Sequence, residues 1–296
     1  MRILLTYISV ILLWSTTPLA IKWSGEGAGF LFGVTSRMTL GTMCLLLFVA
    51  LTRKVLPLHR KALLTYGAVA LQIYGAMLPT YWAAQFLPSG WISVVSGLTP
   101  LMTALLSALF LGERSLTLGK LFAYSLGIGG LSIIFGSALQ ISIHAAFGIG
   151  ALLLSTVFQA SSSVSIKRIN AKLPALIQVM GGLLIATPLY IITWAIVEDA
   201  QLPSSLSITA LASILYLGII ATTLGFIFYY YLLTHLTATR VSLINLISPV
   251  LALLVGHFVN HELLTIKILF GTLLIISALF IHEIIERLPT FKSKRK

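Results

Sequence analysis

One basic side chain, Arg37, lies well inside a long apolar stretch, residues 28–51. A guanidinium at such a depth in a membrane is costly unless it faces protein or water, so Arg37 is expected to line the interior of a helical bundle. Arginine can bind a substrate carboxylate there through two parallel hydrogen bonds. The alternative is a structural role, in which backbone carbonyls at a helix break satisfy the guanidinium, and the sequence leaves both roles open.

Aromatic and amide side chains within other apolar stretches are further candidates for substrate binding. Trp14 and Tyr74 are deep enough to form walls of a cavity, whereas Trp and Tyr near the ends of spans usually lie at the membrane surface. Gln85, Gln159 and Asn245 can offer neutral hydrogen bonds to a polar or zwitterionic ligand. These five residues and Arg37 form the predicted substrate site.

Two prolines inside apolar stretches, Pro100 and Pro249, are predicted hinges, because proline removes a backbone donor and kinks or breaks a helix. A simple packing kink is the alternative. Each proline is followed thirteen residues later by a glutamate, Glu113 and Glu262. A carboxylate is favourable at the positive end of a helix dipole, so each glutamate is expected to cap the helix that follows it. A role in a gate is the alternative.

Enzyme chemistry is not expected. Acid/base or metal catalysis inside a membrane would need Asp, Glu or His clustered at one depth, and no Asp or Glu lies deep in any apolar stretch. The single cysteine, Cys44, excludes a disulfide framework and a Cys-ligated metal site. We therefore predict no catalytic residues, no metal and no cofactor.

The composition indicates an all-α integral membrane protein. Of the 296 residues, 58% are hydrophobic and only 9% are charged, far too few charges to cover a water-exposed surface. A membrane helix needs about 20 mostly apolar residues, and ten such runs are present. They are 3–23, 28–51, 62–86, 88–111, 118–139, 145–166, 174–197, 208–233, 238–259 and 263–285.

The basic residues predict the orientation. Cytoplasmic loops of membrane proteins are rich in Lys and Arg, and with both termini inside, sixteen of the nineteen Lys and Arg residues fall on the cytoplasmic side. The net charge of +12 is thus explained by topology and by a basic cytoplasmic tail, residues 287–296. There is no polar domain on which a nucleic-acid-binding face could be built, so no nucleic acid partner is expected.

The chain also shows an internal repeat. A shift of 149 residues aligns Tyr81 with Tyr230, Leu87 with Leu236, Ser93 with Ser242, Pro100 with Pro249, Leu105 with Leu254 and Glu113 with Glu262. At a slightly different offset Lys22 aligns with Lys167. We predict two five-helix repeats, residues 1–140 and 141–286. Because five is odd, the second copy is inverted in the membrane, the architecture typical of alternating-access transporters.

These residues resemble the ten-helix EamA family of the drug/metabolite transporter superfamily. The resemblance is carried by Leu13-Trp14-Ser15 with Pro18 and Lys22, by Arg37, by Ser93 to Leu101, by Ala108 to Arg114, and by Gly127, Gly129 and Gly130. The second copy keeps Pro249 and Glu262 but has Asn260-His261 where the first has Leu-Gly. The resemblance implies a carrier in the cytoplasmic (inner) membrane, often an exporter of amino acids or other small metabolites.

The sequence therefore predicts a multi-pass transporter that exports a small polar or amphipathic metabolite, such as an amino acid, by alternating access. Its expected partners are the small-molecule substrate and the lipid bilayer. A monomer and a homodimer both remain open. The alternative function is a membrane receptor or assembly factor that transports nothing.

Overall fold

The computed structural model describes residues 2–111, 117–235 and 244–287, apart from some side chains within the last two ranges. We number the helices α1 to α10. They are α1 (Arg2–Gly25), α2 (Phe30–Leu51), α3 (Arg60–Ala84), α4 (Ser89–Leu111), α5 (Leu118–Ile141), α6 (Ile143–Ile169), α7 (Ala175–Val197), α8 (Ile208–Leu215, Tyr216–Leu224 and Gly225–His235), α9 (Ile244–Asn260) and α10 (Ile266–Arg287). Glu113 and residues 288–296 of the predicted tail lie outside the described residues.

The all-helical membrane fold is confirmed. Within the described ranges, eight helices are long and apolar enough to cross a bilayer, and two shorter apolar stretches, Ile208–Leu224 and Ile247–Asn260, belong to α8 and α9. The count of ten spans stays a prediction. Large apolar side chains such as Leu47, Phe110 and Ile196 are 62%, 63% and 75% exposed. Such a surface is unfavourable in water but suits contact with lipid.

Two helices contain a wider, π-helical segment, Leu71–Ala76 in α3 and Tyr216–Leu224 in α8. In α3 the segment precedes Pro79, which has no N–H to donate to the preceding turn. In α8 the Thr222 hydroxyl donates to the carbonyl of Leu217, 2.8 Å away. π-Helical segments are rare in proteins, and those that occur often lie at functional sites. Here they occur in the third helix of each predicted repeat.

The predicted hinge prolines differ in their local structure. In α4, Gly97 and Leu98 interrupt the helix between Ser89–Ser96 and Thr99–Leu111. Pro100 follows this break directly, at the start of the second half, where a missing N–H costs no helical bond. Pro249 lies within α9, which is continuous. A local break therefore accompanies the first proline and not the second.

The helix neighbours occur in matched pairs, which is the pattern expected for two inverted repeats. Helix α1 packs against α8 and α9, and its predicted equivalent α6 packs against α3 and α4. Contacts of α3 with α7 are matched by contacts of α8 with α2. Three equivalent pairs contact each other directly, namely α2 with α7, α4 with α9 and α5 with α10.

The prediction that Glu262 caps the following helix is wrong. Its carboxylate instead accepts a hydrogen bond from the backbone N–H of Ser89, 2.8 Å away, at the start of α4. The start of α10 is served by Thr265, whose hydroxyl accepts from the N–H of Ile268 at 3.4 Å. The chain after α9 thus directs Glu262 across the bundle, a contact that its sequence position does not reveal.

Candidate substrate site

Arg37 lies about two turns into α2. Its side chain is buried, with 8% of its surface exposed. Its Nη1 donates to the Tyr81 hydroxyl of α3, and its Nε donates to Oγ1 of Thr222 in α8, both at 3.4 Å. The Thr222 hydrogen is already directed at Leu217, so the oxygen is the acceptor for Arg37. The guanidinium therefore bridges three helices at the middle of the bundle.

The hydrogen bonds of Arg37 are few and long. A guanidinium has five N–H donors, and hydrogen bonds of 3.4 Å exceed the usual range of N–H···O distances. Within the described part of the chain its acceptors are two neutral hydroxyls. A buried charge without an opposite charge is strongly unfavourable, so an anion that enters beside Arg37 would gain both charge pairing and unused donors.

Tyrosines surround this arginine. Tyr190 of α7 is fully buried, and its hydroxyl lies close enough to Arg37, Tyr81 and Tyr74 to interact electrostatically with all three. The same hydroxyl donates to the carbonyl of Ile73 at 2.8 Å. The rings of Tyr74 and Tyr190 meet edge to face, with centroids 4.9 Å apart. We call Arg37, Tyr74, Tyr81, Tyr190 and Thr222 the arginine–tyrosine cluster.

Both π-helical segments contribute to this cluster. Ile73 and Tyr74 lie within the segment of α3, and Thr222 lies within the segment of α8. A π turn alters the direction of side chains and loosens backbone carbonyls, which allows the Tyr190 hydroxyl to reach the carbonyl of Ile73. The widened turn of α8 thus supplies a hydroxyl to Arg37 directly, and that of α3 supplies a carbonyl to the neighbouring Tyr190.

A groove of about 300 Å³ opens between α1, α8 and α9. Its lining includes Thr16, Trp23 and Tyr216, together with apolar side chains such as Val255. The hydroxyls of Thr16 and Tyr216 are hydrogen-bonded, 2.6 Å apart, and Tyr216 is in electrostatic range of Arg37. The groove therefore has a mainly apolar lining with the hydroxyls of Thr16 and Tyr216 as polar groups, a combination suited to an amphipathic molecule.

Two of the six predicted site residues, Arg37 and Tyr74, are both neighbours of Tyr190, and the Tyr74 hydroxyl is hydrogen-bonded to that of Thr193 at 2.6 Å. Gln159 of α6 is half-buried, and its side-chain amide donates to the Ser155 hydroxyl at 3.3 Å. Ser155 is hydrogen-bonded to Thr80 of α3, so the Gln159 amide lies where α6 faces α3. Trp14 packs in a separate apolar cluster with Val10.

The two other amides are not brought to the cluster by any described contact. Gln85 is exposed after the end of α3 and donates to the carbonyl of Trp82 at 3.2 Å. Asn245 lies in the first turn of α9, but its side chain is outside the described residues.

Sequence reasoning missed Tyr190 and Thr222. Tyr190, two residues after Pro188, is one of ten tyrosines in the chain, and nothing in its local sequence distinguishes it from the others. Thr222 is likewise one of many small hydroxyl residues. A usable signal was depth, because Tyr190 lies in the interior of its span rather than at the surface where tyrosine is common. Within the described residues no group of three His, Cys, Asp or Glu side chains is placed to hold a metal ion.

Comparison with known proteins identifies similar chains. The model of the EamA-like transporter family matches residues 1–136 and, separately, 146–282. The uncharacterized transporter YoaV of Bacillus subtilis is 26% identical over 283 residues, which cover 95% of this chain and 96% of YoaV. Protein PecM of Dickeya dadantii is 30% identical over 240 residues, 79% of this chain and 76% of PecM.

A third relative has a more specific description. The probable terminal-alkyne amino-acid exporter of Streptantibioticus cattleyicolor is 24% identical over 242 residues, covering 80% of this chain and 78% of that protein. One crystal structure has a TM-score of 0.64 at 21% identity, covering 97% of this chain and 99% of the other. At that identity the crystal structure supports the fold alone.

Proposed function

Because the chain belongs to the EamA-like transporter family, we propose that it exports a small polar or amphipathic metabolite with a carboxylate group, such as an amino acid, across the cytoplasmic membrane. Membership of the family makes it a multi-pass membrane transporter. The cargo, the direction and the mechanism are the proposed part. The observation that supports the carboxylate cargo is the buried Arg37, whose acceptors among the described residues are two distant neutral hydroxyls.

Arg37 would bind the carboxylate of the substrate. Its planar guanidinium can give two parallel hydrogen bonds to one carboxylate, and the hydroxyls of Tyr81 and Thr222 already hold its orientation. The aromatic faces of Tyr74 and Tyr190 would contact the apolar part of the substrate. Trp14, Gln159 and Asn245 remain predicted contacts of a ligand that fills more of the bundle, and Gln85 remains predicted only as an outer contact on its path.

Alternating access is supported by the signs of an inverted repeat. The family model matches the chain twice, and the helix neighbours occur in matched pairs. The hydroxyls of Thr42 and Thr187 are hydrogen-bonded, 2.7 Å apart, and these residues are separated by 145 positions, as are Lys22 and Lys167. Equivalent residues that touch each other lie on a twofold axis, and rocking of the two halves about it would expose the site to each side in turn.

Export is supported by the similarity to the probable terminal-alkyne amino-acid exporter of Streptantibioticus cattleyicolor. The distribution of basic residues supports an orientation with both termini in the cytoplasm. Pro100 and Pro249 are the proposed hinges, and the break at Gly97 and Leu98 beside Pro100 is the local feature that favours the first of them.

The test is a flux measurement in liposomes. We expect purified protein to exchange at least one member of a panel of the twenty common amino acids and simple carboxylic acids faster than empty vesicles do. Arg37→Lys should lower kcat/KM about tenfold or more, because one of two hydrogen bonds to a charged group is lost. The matched control is Arg60→Lys, at an exposed arginine at the start of α3, which should behave like the parent protein.

Two results would contradict the proposal. Equal activity of Arg37→Lys and Arg60→Lys would refute carboxylate binding by Arg37. No flux of any substrate above empty vesicles would instead favour a membrane receptor or assembly factor that transports nothing.

A further inference from the structure

A second polar network lies at the end of the bundle where α1 and α9 finish and α4 begins. At its centre the Glu262 carboxylate accepts four hydrogen bonds, from the Ser89 N–H at 2.8 Å, the Ser89 hydroxyl at 3.1 Å, the Gly90 N–H at 3.4 Å and the Asn260 amide at 2.9 Å. The two backbone donors belong to the first turn of α4, whose N–H groups have no partner within their own helix. Glu262 therefore ties the loop after α9 to the start of α4.

Helix α1 is tied to the same place by two further bonds. The indole N–H of Trp23 donates to the side-chain oxygen of Asn260 at 3.0 Å. The ammonium group of Lys22 donates to the carbonyl of Leu87 at 2.9 Å, in the short connection between α3 and α4. The ends of α1, α4 and α9 are thus joined by the bonds around Glu262, and the separate Lys22 bond ties α1 to the connection between α3 and α4.

Glycines allow the helices to meet closely under this network. A Cβ on Gly90 would lie 2.8 Å from the Cα of Leu253, so α4 and α9 touch through their backbones there. A Cβ on Gly256 would lie 2.9 Å from the Ser89 hydroxyl and would contact the Glu262 carboxylate itself. The carboxylate occupies the space that Gly256 leaves empty, so α4 and α9 are in close contact beneath the network.

We propose that the Glu262 network, consisting of Glu262, Ser89, Gly90, Asn260, Trp23 and Lys22, is the outer gate of the transport cycle. It holds the central site closed toward the outside and breaks when the site opens there. The gate rests on the proposed function, because only alternating access requires this end to open. The basic residues predict that this end faces out.

The chemistry of the network suits a reversible contact. Its donors and acceptors are groups that water can solvate when the helices separate, so opening exchanges protein hydrogen bonds for water hydrogen bonds at small net cost. The first half of α4, Ser89–Ser96, ends at the break formed by Gly97 and Leu98. That half can therefore move with the gate while the second half stays packed.

The test measures access to a cysteine just below the network. Ser93 lies one helical turn after Ser89 on the same face of α4 and is half-buried. With Cys44→Ser removing the native thiol, a Ser93→Cys reporter is labelled on intact cells by a membrane-impermeant maleimide. Glu262→Gln places amide donors where the carboxylate accepted, so we expect labelling to accelerate about tenfold, the effect of losing one hydrogen bond to a charged group.

A second variant and two controls make the test specific. Gly256→Ala, which puts a methyl group into the space of the carboxylate, should accelerate labelling in the same way. Two controls change sites outside the network. Glu26 is an exposed glutamate at the same end, and Gly150 is a helical glycine with open space around it. We expect Glu26→Gln and Gly150→Ala to leave the labelling rate within about twofold of the parent, as surface changes usually do.

Labelling of Glu262→Gln and Gly256→Ala at the parent rate would overturn the gate while leaving the liposome flux, and with it the proposed function, intact. Faster labelling in a protein that shows no flux with any tested substrate would refute transport and reduce the network to a structural clasp. Faster labelling together with flux supports both.

Discussion

Replacing Tyr190 by phenylalanine should destabilise the protein by removing a single buried hydrogen bond. The Tyr190 side chain is fully buried, and its hydroxyl donates to the carbonyl of Ile73 at 2.8 Å and lies 3.3 Å from that of Tyr74. Both carbonyls lie in the π-helical segment of α3, and that of Tyr74 also accepts from the backbone N–H of Met77. The hydroxyl therefore links α7 to the π-helical segment of α3.

The expected cost follows from that arrangement. An average buried hydrogen bond contributes about 1 kcal/mol net, and a carbonyl left without a partner costs about 1–3 kcal/mol. Side-chain hydrogen bonds within membrane proteins are weaker, with a mean of about 0.6 and a maximum of about 1.7 kcal/mol. Because the ring of Tyr190 still fills its space in Tyr190→Phe, we expect about 1–1.5 kcal/mol, near the upper end of the membrane range.

The assay is reversible unfolding in detergent, with Tyr66→Phe as the matched control. The Tyr66 hydroxyl also donates to a backbone carbonyl, that of Pro57 at 2.9 Å, but it lies in the first two turns of α3, where water can replace it. We expect Tyr66→Phe to cost about 0.5 kcal/mol or less. Equal stabilities of the two variants, or a Tyr190→Phe protein as stable as the parent, would refute the view that this buried hydrogen bond between α7 and α3 stabilises the fold.

Two further changes test helix packing and electrostatics. Gly181→Ala in α7 should destabilise the protein by about 1–3 kcal/mol, because the new methyl group would collide with the ring of Tyr66, whereas Gly150→Ala should be neutral or slightly stabilising; equal unfolding midpoints would disprove the close contact of α3 and α7. At the end of α7, burial raises the pKa of the Glu198 carboxyl above its ordinary value. Because the folded state then holds this proton more tightly, the free energy of unfolding falls as the pH rises from the ordinary pKa of a glutamate through the raised pKa of Glu198. Glu198→Gln should flatten that part of the plot of unfolding free energy against pH. An unchanged plot would contradict the effect of Glu198 burial.

The membrane fold could be predicted from the sequence because lipid imposes a strong and local requirement. Each span must be apolar over about 20 residues, and this requirement is visible without knowledge of neighbours. The cost of a buried guanidinium likewise identified Arg37 from one residue in one stretch. Tyr74 was found by the same argument from depth, and the repeated Pro100 and Glu113 with Pro249 and Glu262 indicated two related halves.

Which side of each helix packs in the bundle and which side contacts lipid could not be predicted. In a soluble protein the apolar stripe of a helix marks its core face, but in a membrane the lipid-facing and packed faces are both apolar, so that signal is weak. Consecutive residues differ in direction by about 100°, and no pattern told us that Gln85 is exposed or that Trp14 packs apart from Arg37. The π-helical segments, which redirect Tyr74 and Thr222, are likewise invisible in the sequence.

The sequence by itself thus determined the solvent, the approximate spans, the predicted orientation and the presence of a costly charge, since each depends on composition within one segment. Only the tertiary structure decided that Tyr190 and Thr222 join Arg37, and that Glu262 serves α4 rather than α10. Those contacts join residues more than a hundred positions apart. They depend on how whole helices rotate and cross, which is set by the packing of the complete bundle and not by any one stretch of the chain.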